Sequence, residues 1–256
     1  MNFISEPILH TAKTGFESSE RVTSSGTITR KTLLICGVLS SLLYVVMNVV
    51  VPMQSETYNW VTQTISELSA IGAPTRQLWI KLAIFYGLLL TSYGFGIWLS
   101  AGTNWLLRVV AAIFILQGVI GFVWPPMHQR EVLAAGGGSF TDTMHIIYSA
   151  VTVFLMLIAM WFGSKSLDKP FRFYSVVSIG TLIILGTWTA VEAPKLQHNQ
   201  PTPWLGIIER VLILIFLVWI VVIAVLLLRT KMEKYNKGEE KVDEFAGFSA
   251  QNKMTG

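Results

Sequence analysis

Apolar residues run along this chain in six long stretches, about 32–51, 82–99, 106–124, 144–162, 173–191 and 205–228, with shorter polar segments between them. A helix rising 1.5 Å per residue needs roughly 20 apolar residues to cross a hydrocarbon core about 30 Å thick. All six stretches are close to that length, and their unbroken apolarity excludes the alternating strands of a membrane barrel. The pattern predicts an all-α fold, a six-helix transmembrane bundle. After the first stretch, Tyr58, Val61, Ile65 and Leu68 recur at helical spacing. This predicts a short extracytoplasmic amphipathic helix, stopped by Gly72 and Pro74.

Composition agrees with this and narrows the classes. Of 256 residues 52% are hydrophobic and 13% charged, about half the charge of a soluble domain, where it is near 25%. So few charges cannot coat a soluble surface, which excludes a cytosolic enzyme and a nucleic-acid module. The net charge of +4 is a matter of orientation. Arg30, Lys31, Arg108, Lys165, Lys169, Arg172 and Arg229 fall at one end of the runs, against Arg76, Lys81, Arg130, Lys195 and Arg210 at the other. The excess of basic residues predicts that end, and both termini, on the cytoplasmic side of a cell membrane. Residues 1–30 read as a disordered tail and 230–256 as a second cytoplasmic tail. Cys36, the only cysteine, reads as a small core residue.

The connections predicted outside, about 53–81, 125–143 and 192–204, are longer than those inside, so a site is expected to face outward. Ionisable residues gather there: Glu67, His128, Asp142, His145, Glu192, His198, Glu209 and Arg210. Charges at a span boundary need partners and are functional candidates. Asp142 and His145, three apart, would share one helix face, the carboxylate orienting the imidazole as a general base. His128 could complete an acid/base pair or a metal site, and Ser66 could be a nucleophile if His128 or His145 lay within reach. The structural alternative places Asp142 in the helix's first turn, favoured by the helix dipole, with His145 as its interfacial hydrogen-bond partner. Glu209 and Arg210 point about 100° apart on a helix, so each needs another partner. Arg210 suits a lipid phosphate or a carboxylate such as Glu67. No metal or cofactor is assigned from these residues.

With these residues in view, the chain resembles the bacterial and archaeal membrane family termed domain of unknown function 998 over about residues 32–229. The shared features are the six spans, Tyr58 with Ile65-Ser66-Glu67-Leu68, Gly72 and Pro74, the Pro125-Pro126 turn, His145 opening the fourth span, and Gly206 with Glu209-Arg210 opening the sixth. Met127-His128 stands where an acidic or small polar residue is expected. The resemblance implies the architecture but no reaction. A more distant similarity, in topology and the Ile-Ser-Glu segment, is to the eukaryotic six-span family containing factors that remodel glycosylphosphatidylinositol lipids. The expected function is lipid binding or lipid handling through an outward-facing polar site, with membrane lipids as partners. The alternative is a membrane-embedded hydrolase or transferase using His145, Asp142, His128 and Ser66. A small-solute transporter ranks last, because the span middles are clean and unbroken.

Overall fold

A computed structural model describes residues 6–254, with side chains described for residues 26–229. Most of the two expected tails, 1–30 and 230–256, lies outside the residues with described side chains. The helices are α1 (Glu6–Val50), α2 (Arg76–Ala101), α3 (Trp105–Ile120), α4 (Arg130–Ala134), α5 (Phe140–Ser166), α6 (Lys169–Leu196) and α7 (Leu205–Met254). Six segments are long and apolar enough to cross a membrane: Gly26–Gln54, Arg76–Ala101, Trp105–Val123, Phe140–Ser166, Lys169–Leu196 and Leu205–Arg229. Among the described residues there is no strand, only one isolated bridge between Ile71 and His128. The protein is a multi-pass, all-helical membrane protein.

The spanning helices form a closed ring in chain order, each packed on the next, with α7 returning to pack on α1 and α6. Small residues set the tightest approaches. A Cβ on Gly94 would lie 2.8 Å from the Ile115 backbone nitrogen, and one on Gly96 would lie 2.8 Å from the Leu33 carbonyl carbon, so α2 can meet α3 and α1 only where no side chain intervenes. Gly121, by contrast, has open space around it. An aromatic core of Tyr93, Phe114, Phe216 and Trp219 fills the ring, and the Trp219 indole donates to Ser175 Oγ at 2.9 Å. Phe85, Phe154, Phe173 and Ile184 point outward and are well exposed, as lipid-facing residues should be.

Helices α2, α5 and α6 extend beyond the expected apolar runs into polar residues. Asp168 caps α6, accepting from the Phe171 N–H at 3.1 Å. α2 starts at Arg76, whose guanidinium donates to the Ser69 carbonyl.

We call the end of the ring that carries residues 51–75, 121–139 and 197–204 the cap end, and the opposite end the tail end. The segment expected as an amphipathic helix is instead a series of turns with two short 3-10 helices, Pro52–Gln54 and Ser66–Ser69. Side chains have captured the backbone there. Asn59 Oδ1 accepts from the N–H groups of Val61 and Thr62, and Glu67 Oε2 accepts from Thr64 N–H at 2.7 Å. Such local bonds compete with a regular helix. Ile65 and Leu68 are nonetheless buried, as their spacing suggested, whereas Val61 is exposed.

Candidate functional site at the cap end

The segment 58–71 lies across the mouth of the ring and is held there by three groups of contacts. The first is with α7. Glu209 Oε2 accepts from the Ile65 N–H at 2.7 Å. Arg210 donates to the carbonyls of Trp60 and Gln63 and, at 2.7 Å, to the Tyr58 hydroxyl. Its guanidinium also lies 4.8 Å from the Trp60 ring centre, a cation–π distance. Arg210 is thus occupied by neutral groups of the cap, and it forms no ion pair among the described residues. Burial pushes the Tyr58 phenol up to about 12, the Arg210 charge working in the opposite direction.

The second group is a buried ion pair that the sequence did not reveal. Arg130, read there only as one of the charges that set orientation, opens α4 and sends Nε to Glu67 Oε1 at 2.7 Å and Nη2 to Oε2 at 2.8 Å. Both residues are buried, Glu67 at 6% exposure and Arg130 at 8%. Burial alone would make Arg130 easier to deprotonate, but its hydrogen bonds and the Glu67 charge outweigh this and hold it above its ordinary value. The fork geometry is the strong, bidentate form of an arginine–carboxylate contact. Glu67 therefore pairs with Arg130 and not with Arg210.

The third group contains the candidate chemistry. His145, on the first turns of α5 and only 5% exposed, has Nε2 at 3.0 Å from Ser66 Oγ and Nδ1 at 2.8 Å from the Pro125 carbonyl oxygen. The Trp124 indole nitrogen is 3.2 Å from the same Nδ1. A ring nitrogen cannot both donate to a carbonyl and accept from an indole. The carbonyl can only accept and is closer, so Nδ1 carries the proton and Nε2 is free to accept from the Ser66 hydroxyl. Trp124 then serves as an edge-on wall, its ring centre 5.5 Å from the imidazole.

Asp142 makes no hydrogen bond to His145, the partner that both readings gave it. Its Oδ2 closes the capping box at the start of α5 by accepting from Ser139 N–H at 2.7 Å, and also meets His128 Nδ1 at 2.9 Å. Oδ1 accepts from the His128 backbone N–H at 2.7 Å. The reason is geometric: side chains three apart share a face, but the Gly136-Gly137-Gly138 loop brings His128 over the helix start, where the carboxylate meets the backbone N–H and side chain of both His128 and Ser139. The sequence-derived set thus separates into two pairs, Ser66 with His145 and His128 with Asp142. No cluster of three or more His, Cys, Asp or Glu suited to a metal exists among the described residues. Glu192 is spent on Lys195 at 2.7 Å, and His198 is exposed in the loop beyond α6.

Residues 38–226 match the family model described as protein of unknown function (DUF998). The chain belongs to this family. The matched region runs from α1 to near the end of the last span and contains the whole cap, so every residue of the site lies within the family's extent. No curated protein and no solved structure matches the chain.

Proposed function

We propose that this DUF998 member is a membrane-embedded hydrolase or transferase acting on an ester of a lipid-linked substrate at the outer face of the membrane. One observation carries the reading: Ser66 Oγ lies 3.0 Å from an imidazole nitrogen whose partner nitrogen is tied to a backbone carbonyl. Nucleophile, base and orienting group are then in hydrogen-bonded series, the general logic of an activated serine. The lipid-handling reading without chemistry drew on the outer amphipathic segment and on Arg210 near the headgroup level; that segment is a series of turns, and Nη1 and Nη2 of Arg210 are engaged by the cap. The basic residues concentrated at the tail end support the outer location.

In the step proposed, Ser66 Oγ attacks the ester carbonyl while its proton passes to His145 Nε2. The tetrahedral adduct expels the alcohol, which takes the proton back from Nε2 and leaves an acyl-Ser66. Water, or a second alcohol, then repeats the sequence in reverse and frees the serine. The Pro125 carbonyl holds the ring in place and offsets part of the imidazolium charge, a weaker support than a carboxylate would give.

The test is labelling of the purified protein in nanodiscs with a lipophilic fluorophosphonate, followed by intact-mass and peptide analysis. The expected result is one adduct, on Ser66, absent from Ser66→Ala and reduced at least about 100-fold in rate in His145→Gln. A correctly folded wild-type protein that forms no adduct, or forms it elsewhere, would return the lipid-handling reading to first place.

A further inference from the structure

At the opposite end of the ring, Arg30 is almost wholly buried, at 2% exposure. It lies near the start of the first span and reaches between α2 and α7. Its Nη1 donates to Ser100 Oγ at 3.3 Å and to the Leu227 carbonyl at 3.2 Å, both neutral acceptors. Nε and Nη2 are buried and have no hydrogen-bond partner among the described residues. These are the two nitrogens with which Arg130 grips Glu67. The two nitrogens that hold a carboxylate at the cap end are thus buried without a hydrogen-bond partner at the tail end, among the described residues.

Among the described residues the three elements around it supply no anion at this end. The spans Gly26–Gln54 and Arg76–Ala101 contain no Asp or Glu, and in Leu205–Arg229 the only acid is Glu209, which reaches the cap. A buried guanidinium with no counter-charge is costly, and a cation in such a place is a functional candidate by default. Lys31 and Arg229, next to Arg30 and near Leu227 in the chain, add positive charge at the same end, where lipid phosphates lie. Arginine's planar fork matches two oxygens of a phosphate.

We propose that Arg30 forms a phosphate-binding site between α1, α2 and α7 at the tail end, taking the phosphodiester of an anionic phospholipid or a free phosphate. This site is separate from Ser66 and His145, and its test does not depend on them.

Full-length protein in mild detergent is titrated with dioleoyl-phosphatidylglycerol, with dioleoyl-phosphatidylcholine and with inorganic phosphate, following thermal unfolding. Phosphatidylglycerol is expected to raise Tm in a saturable way and phosphatidylcholine much less. The response should vanish in Arg30→Gln, weaken at least about tenfold in apparent affinity in Arg30→Lys, which keeps the charge without the fork, and persist in Arg210→Gln. An equal rise with inorganic phosphate, also lost in Arg30→Gln, would assign the site to a free anion; a rise with the lipid alone assigns it to a headgroup. Equal responses to both lipids, or a response to phosphatidylglycerol that both Arg30 variants retain, would overturn the proposal. If Arg30→Gln does not fold, Arg30→Lys carries the comparison, with native mass spectrometry counting the lipid retained.

Discussion

Glu67 accepts five hydrogen bonds from three residues of the cap. It receives the Arg130 fork, the Thr64 N–H and hydroxyl, and the Gln63 amide. Removing one member of a buried, hydrogen-bonded pair leaves the other charge unpaired, at a cost of about 3–5 kcal/mol. Glu67→Ala and Arg130→Ala are therefore each expected to lower stability by that order in denaturant titrations. The double variant should lose less than the sum. Strict additivity would mean that the pair contributes no coupling. Tyr58 gives a pH signature. Its phenol is raised in the folded state to about 12, above the ordinary value near 10, so folding favours the protonated form. Its contribution is complete below about pH 10 and is lost as pH rises through about 12. Alkaline thermal melts should show this loss in the wild type and a smaller slope in Tyr58→Phe.

At the scale of elements, the cap depends on the first turn of α7 as much as on its own sequence. Gly206 N–H donates to the Val61 carbonyl at 3.0 Å, and a Cβ on Gly206 would stand 2.5 Å from the Trp60 carbonyl oxygen. Backbone oxygens of a tethered segment cannot give way cheaply, so Gly206→Val is expected to destabilise the protein by about 1–3 kcal/mol. It should also speed protease cleavage between residues 58 and 65; cleavage at the wild-type rate would show that the cap does not depend on this contact. The helical spacing of Tyr58, Val61, Ile65 and Leu68 identified which residues turn inward at 65 and 68. It failed on backbone form, because Asn59, Gln63 and Glu67 offer acceptors or donors that replace helical bonds. Periodicity reports burial, and burial does not require a helix.

For the whole molecule, the orientation inferred from the basic residues yields a direct measurement. On a Cys36→Ser background, Asn199→Cys at the cap end and Thr103→Cys at the tail end lie in exposed positions. In intact cells a membrane-impermeant maleimide should label residue 199 and spare residue 103. The reverse pattern would invert the orientation and place Ser66 and His145 on the cytoplasmic face.

The spans were legible in the sequence because crossing hydrocarbon demands a long apolar run whose backbone bonds close on themselves, a requirement local to each segment. The ends of the spans were less so, since caps such as Asp168 at α6 and the Ser139–Asp142 box at α5 start helices in polar residues that hydropathy does not register. The polar candidates could also be named, because buried charges are rare in such a chain. Their partners could not. Ser66 meets His145 and Glu67 meets Arg130 across 79 and 63 residues, and Asp142 turns from His145 to His128 because a glycine loop places the latter over its helix. Arg30 looked like one more charge setting orientation until the ring closed around it. Which acid faces which base is decided by how the helices close into a ring and how the loops cross its mouth, and no single segment contains that information.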